Sequence, residues 1–171
     1  MHSGHMKIEL DYLPRVTGND RNRIEKVTRS SGFFSSDEVR IAMEVFNEYA
    51  EKGTESGYHY IFAKSGNEIA GYACFGPIPC TKASFDLYWI AVDNTLRGQG
   101  IGQTLLVASE KIAVEMGATR MYLDTSSRPQ YDPTRAFYLA AGYEIAAVID
   151  DFYAPGDSKI LFLKKFESPR L

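Results

Sequence analysis

The sequence predicts an α/β fold: a mixed, mostly antiparallel sheet with one parallel pair, flanked by about four helices. Two observations carry this expectation. The stretch Asp86–Val92, Asp-Leu-Tyr-Trp-Ile-Ala-Val, is aromatic and β-branched, as a buried strand is. It runs into glycines at alternate positions, Gly98, Gly100 and Gly102, and then into Leu105, Leu106, Ala108, Ile112, Ala113 and Met116. That spacing lays an apolar stripe along one helix face. The second observation is the order of elements along the chain: strand, two helices, three strands, helix, strand, helix, two strands.

Each element has a local reason. Ile8–Val16 is a strand candidate interrupted by Pro14, which belongs at an edge or a strand end. Asp20–Ser31 reads as a helix with Ile24 and Val27 inward and Gly32 behind it. Phe33 and Phe34 follow in a loop. Ser35 with Glu38 three residues on forms a capping box. The helix it opens carries Val39, Ala42, Met43, Phe46 and Ala50 on one face, and Gly53 ends it. Tyr58–Lys64 and Glu68–Phe75 are strands around a Ser65-Gly66-Asn67 turn, and Gly76-Pro77-Ile78-Pro79 breaks the second. Arg120–Ser126 is a strand expected to lie parallel to Asp86–Val92 through a right-handed crossover. Pro133 suits a first helical position, and the helix Thr134–Ala141 ends at Gly142. Glu144–Asp151 and Lys159–Phe166 are the last strands, with Tyr153–Asp157 as the hairpin tip.

Composition narrows the function classes. A chain of 171 residues suits one domain. Met1-His-Ser-Gly-His-Met6 resembles a vector scar, which leaves residues 7–171 as the expected domain. Hydrophobic content of 44% and charged content of 24% are ordinary for a soluble globule. A net charge of −3 and the lack of a Lys/Arg run argue against nucleic acid. No apolar run approaches the roughly 18 residues of a bilayer span, so no membrane partner is expected. Cys74 and Cys80 make neither a disulfide framework nor a zinc set, so both are expected reduced, in the cytoplasm, with no metal. Homodimer or monomer is left open.

The glycine turn carries the chemistry. It lets backbone N–H groups approach a ligand with no Cβ in the way, and the helix N-terminus behind it favours negative charge. Arg97 adds a cation at the mouth. The arrangement reads as a pyrophosphate cradle. A dinucleotide G-x-G-x-x-G pattern fails at Gln103 and Leu105, although Asp124 stands where its acidic residue would be. A P-loop lacks its Gly-Lys-Ser/Thr ending. What stands here is Arg97-x-x-Gly100-x-Gly102, which resembles the acetyl-CoA signature of the GNAT acetyltransferases, Gln/Arg-x-x-Gly-x-Gly/Ala. Ala136-Phe-Tyr-Leu-Ala-Ala-Gly-Tyr143 is similar to a second segment of that family, Phe-Tyr-x-x-x-Gly-Phe/Tyr. The element order also matches the GNAT fold, over nearly the whole chain.

The resemblance implies an acetyl-CoA-dependent N-acetyltransferase using direct transfer. The competing class is a sensor that binds acetyl-CoA without catalysis. Cofactor contacts would come from Arg97, Gly98, Gln99, Gly100, Ile101, Gly102 and Gln103 for the pyrophosphate, and from the backbones of Ile90 and Val92 for the pantetheine arm. Tyr138 would stabilise the departing thiolate, with a core aromatic as the competing role. Asp86 would be base or relay, the alternatives being a solvated strand end or a salt bridge to Lys82. The acceptor is expected to be a small cationic amine or a peptide amino-terminus. Phe33, Phe34, Asp151 and Tyr153 would line its site, with Ser126 as a further contact that equally well caps the following loop. His59 is expected to be a satisfied strand residue.

Overall fold

The computed structural model describes residues 7–167. The vector-scar reading of residues 1–6 lies outside them. The elements are β1 (Glu9–Tyr12), α1 (Asp20–Ser30), α2 (Ser36–Lys52), β2 (His59–Ser65), β3 (Glu68–Pro77), β4 (Ser84–Val92), α3 (Ile101–Glu115), β5 (Arg120–Ser126), α4 (Asp132–Ala140), β6 (Glu144–Ala154) and β7 (Asp157–Lys165). The strands form one sheet in the order β1-β2-β3-β4-β5-β7-β6. The order is that expected, and boundaries move by a few residues. Among the described residues, no helix is long and apolar enough to cross a membrane. The chain divides into two compact units. One holds residues up to Gly76 with Tyr88–Ser109, the other Pro77–Leu87 with the chain from Glu110 on.

In the first unit α1 and α2 bury their apolar stripes on β2 and β3. Ile24, Phe46 and Phe62 are fully buried, and each such side chain contributes about 1.5–3 kcal/mol. Phe46 meets Tyr60 edge-on at 5.4 Å. The buried Tyr72 hydroxyl is satisfied by Thr28 Oγ1 at 2.8 Å. The capping box at α2 forms as the sequence implies: Ser35 Oγ accepts from Glu38 N, and Glu38 Oε2 accepts from Ser35 N. His59 is a buried strand residue whose Nδ1 lies 2.9 Å from Tyr12 Oη. Cys74 is fully buried, and burial pushes its thiol up; Cys80 is exposed and unpaired.

A glycine that sequence reasoning passed over positions the end of β4. A Cβ on Gly71 in β3 would stand 2.8 Å from the Ala91 carbonyl oxygen and 3.3 Å from Val92 Cγ2 and Leu105 Cδ1. Only hydrogen fits there, so β4 and the first turns of α3 close onto β3.

In the second unit β4 and β5 pair in parallel, Ser84 with Arg120, Phe85 with Met121 and Asp86 with Tyr122. β5 pairs antiparallel with β7, and β7 with β6. Met121 and Phe162 are fully buried, and the Tyr138 ring of α4 lies 6.1 Å from that of Phe162. Lys164 Nζ donates to Glu110 Oε2 and to the Ala141 carbonyl, which ties the end of α4 to β7.

The hairpin of β6 and β7 differs from the expected one. β6 runs on to Ala154, so the tip is only Pro155 and Gly156. Ile149 pairs with Lys159 and Ala154 with Asp157. Asp150, Asp151, Phe152 and Tyr153 therefore face Ser158 alone, and the surplus residues arch out of the strand.

Candidate active site

The glycine turn is built on β4 and fixed from behind. Asp93 N donates to the Ala70 carbonyl at 2.9 Å. The Asp93 carboxylate accepts from Thr95 N and Thr95 Oγ1, which holds its pKa below the usual carboxylate range. Gly98 and Gly100 have φ of +74° and +78°, a conformation that L side chains rarely adopt. A Cβ on either would meet nothing within 4 Å. Gly100 O accepts from Thr104 N, the first intrahelical bond of α3. Among the described residues, the N–H groups of Gly98, Gln99, Gly100, Ile101, Gly102 and Gln103 have no partner. Unpaired amides at a helix N-terminus with open space before them fit a pyrophosphate. Arg97 is stacked over the Phe33 ring, its guanidinium carbon 4.4 Å from the centroid. Phe33 thus braces the turn, and Phe34 packs against the core. A cavity of about 110 Å³ beside Arg23, Glu68 and Asp93 is too small for a nucleotide.

Ile90 and Val92 are half-buried and flank the buried Ala91. They lie beyond Asp86, the last residue of β4 in the parallel register with β5.

Asp86 is half-buried. Burial, and then the Asp124 carboxylate, raise its pKa; Lys159 opposes them. Among the described residues it makes no salt bridge to Lys82; its charged neighbours are Asp124 and Lys159. Asp124 Oδ1 lies 3.2 Å from Lys159 Nζ, and Asp124 Oδ2 accepts from Tyr153 Oη at 2.5 Å. Lys159 Nζ also stands 4.9 Å from the Phe152 centroid. Tyr153 on β6 reaches Asp124 on β5 across the intervening β7, which the arch of β6 makes possible. Sequence reasoning gave neither Asp124 nor Lys159 a place here. Their pairing depends on register between strands, and the one signal available was a lone acid midway along a predicted strand.

Tyr138 is buried, and burial alone pushes its pKa well up. Among the described residues its hydroxyl has no hydrogen-bond partner. The ring faces the sheet while Phe137 is only half-buried, which settles which of the two turns inward.

Two further expected acceptor contacts are also engaged within the protein. Ser126 Oγ donates to Asp157 Oδ1 and accepts from Arg128 N at 3.1 Å, so it caps the following loop. Asp151 has φ of +54° and accepts from Gly156 N at 2.7 Å, so its carboxylate secures the arch. Among the described residues, no group of His, Cys, Asp and Glu is gathered as metal ligands.

The chain is similar to known proteins of one family. The sequence model of the acetyltransferase (GNAT) family matches residues 25–143. N-acetyltransferase 8F1 of Rattus norvegicus is 31% identical over 85 residues, which are 48% of this chain and 38% of that protein. The chain thus matches well under half the length of this curated relative. A solved GNAT-family acetyltransferase structure from Desulfovibrio desulfuricans superposes with a TM-score of 0.87 at 36% identity, over 92% of this chain and 99% of that one. An aminoglycoside 6'-N-acetyltransferase solved with coenzyme A superposes with a TM-score of 0.75 at 16% identity, over 95% and 99% of the chains.

Proposed function

Given that the chain belongs to the acetyltransferase (GNAT) family, we propose that it transfers an acetyl group from acetyl-CoA directly to a primary amine, of a small molecule or a peptide amino-terminus. The observation that carries this reading is the glycine turn at the start of α3, whose amides have no partner among the described residues and whose Gly98 and Gly100 leave empty the space a Cβ would take. The pyrophosphate binds the amides of Gly98 to Gln103, with Arg97 as the cation beside them. The cosubstrate supplies an activated thioester. The backbones of Ile90 and Val92 hold the pantetheine arm along β4, and one of their N–H groups polarises the acetyl carbonyl as charge develops on its oxygen.

The attacking amine must first lose a proton. Asp86 is the base: a carboxylate whose pKa is raised is a stronger base than a free one, and burial with Asp124 nearby supplies that shift. The nitrogen lone pair then attacks the acetyl carbon, the C–S bond breaks with its electrons leaving on sulfur, and the second proton of the nitrogen passes to water as the amide forms. Tyr138 receives this thiolate. A phenol with a raised pKa is a poor proton source for a thiolate of pKa about 8.5, so Tyr138 stabilises it as a hydrogen-bond donor. The aminoglycoside enzyme of the same fold supports an amine acceptor. Two unpaired cysteines fit action in a reducing compartment, the cytoplasm.

The test is calorimetric titration with acetyl-CoA, followed by a thiol-release assay over amines, amino acids and peptides. Binding with turnover of at least one amine is the expected result. Binding without turnover of any would replace catalysis by sensing, and no binding would remove the proposal.

A further inference from the structure

We propose that Asp124 and Phe152, with Asp86 beside them, form a subsite for the ammonium group of an aliphatic primary amine, and that Lys159 is the resident cation which this group displaces. The inference rests on the acyl-transfer reading and names the acceptor class of that site.

Lys159 shows what the site accepts. Its Nζ has a carboxylate on one side, Asp124 Oδ1 at 3.2 Å, and an aromatic face on the other, the Phe152 centroid at 4.9 Å. Those are the two surfaces that attract an alkylammonium. The Tyr153 hydroxyl holds the second oxygen of Asp124, so the carboxylate is aimed. The aromatic wall exists because β6 is irregular. A tip of Pro155 and Gly156 would close the hairpin without any arch, yet residues 150–153 leave the register and Asp151 adopts φ of +54°. A strained arch that carries Phe152 and Tyr153 over the Lys159 side of β7 points to function. The side chains of Lys159 and Asp124 are 24% and 38% exposed, so the lysine can swing into water without backbone movement. Once Lys159 swings out, Asp124 and Asp86 leave the subsite negative, which an ammonium offsets and a neutral amide product does not. The same cluster that draws the amine therefore releases its acetylated form.

The experiment compares Lys159→Met, which keeps an aliphatic stem without the charge, with Lys159→Arg and Asp124→Asn in the full chain. Binding of n-butylamine is titrated calorimetrically with coenzyme A present, and acetyl-CoA binding is measured separately. Lys159→Met should tighten n-butylamine about three- to tenfold, and Asp124→Asn should weaken it by a similar factor. Lys159→Arg, which keeps a resident cation against Asp124 and Phe152, should not tighten it. Both changes should shrink in about 0.5 M salt, because the cage is open to solvent. Unaltered or weaker amine binding in Lys159→Met, or unaltered binding in Asp124→Asn, overturns the subsite. If acetyl-CoA still binds in that case, the subsite alone fails. A wild-type chain that binds no acetyl-CoA fells the acyl-transfer reading and the subsite with it.

Discussion

Gly100 and Gly117 stand just before and just beyond the same helix, α3, and they allow a matched pair of substitutions. Both have left-handed backbones, with φ of +78° and +97°, and a Cβ on either would meet nothing within 4 Å. Alanine at either site therefore costs backbone strain and no steric clash within the protein. An L residue in that conformation costs about 1–2 kcal/mol, partly offset by the stiffer unfolded chain. A net loss of about 1 kcal/mol lowers Tm by about 2–4 °C in a chain of this size. Thermal unfolding should thus show Gly100→Ala and Gly117→Ala as equals. Acetyl-CoA should tell them apart. A methyl group at Gly100 projects into the space before the unpaired amides, and displacing one charge-assisted hydrogen bond costs about 1.5–3 kcal/mol. That corresponds to about 10- to 150-fold weaker binding in Gly100→Ala by calorimetry, with Gly117→Ala at the wild-type value. Equal dissociation constants for the two variants would refute the cradle.

Three further outcomes follow from the same structure. Tyr138→Phe should lower kcat by about 10- to 150-fold, the loss of one hydrogen bond to a charged group, with acetyl-CoA affinity kept; a wild-type kcat from pH 6 to 9 makes the residue only a core aromatic. Because the folded-state pKa of Asp86 lies above its unfolded value, the group opposes folding once both states are ionised. Asp86→Asn should therefore raise Tm at pH 7, with the gain fading as pH falls below the raised pKa and gone below the unfolded value of about 3.9, and should remove the acidic limb of kcat/KM. A lower Tm at pH 7, or a limb that persists, would count against Asp86 as a buried base. Gly76→Ala would set a Cβ 2.2 Å from the Gly57 carbonyl oxygen, which is backbone and cannot turn aside. It should cost about 1–3 kcal/mol and lower Tm by about 2–12 °C, and an unchanged Tm would mean that β3 shifts freely there.

How legible the protein was in its sequence depended on the range of the interactions involved. The capping box of α2 is written within four residues, Ser35 to Glu38, and it forms as read. The glycine turn is equally local, since positive φ at Gly98 and Gly100 is what glycine at those places permits. Gly71 was visible as a glycine inside a strand, but its reason lies in Ala91 and Leu105, which only packing brings near. The arch of β6 was hidden for a similar cause. Its residues read as a strand end and a tip, and the surplus appears only when Ile149 and Ala154 are matched to Lys159 and Asp157. Asp124 and Lys159 meet through the register of β5 with β7, and Ser126 finds Asp157 across the same pair of strands. Side chains whose partners lie on other strands carry no mark of them in sequence.

The two cysteines give the chain an internal clock. A thiol reagent added to the native protein meets Cys80 at once, because it stands exposed, and does not reach Cys74 at all. Cys74 sits in β3 with no accessible surface, packed with Tyr60 and Tyr72 under α1 and α2. Reagent can reach it only when that unit opens, so its labelling rate counts openings. If the turn at the end of β4 holds acetyl-CoA as proposed and opening dismantles the turn, the ligand should slow that count in proportion to its occupancy. The slower phase of labelling then reports ligand binding from inside the core, with no probe attached. The faster phase, from Cys80, is a background of one equivalent that any thiol-release assay on this protein has to subtract.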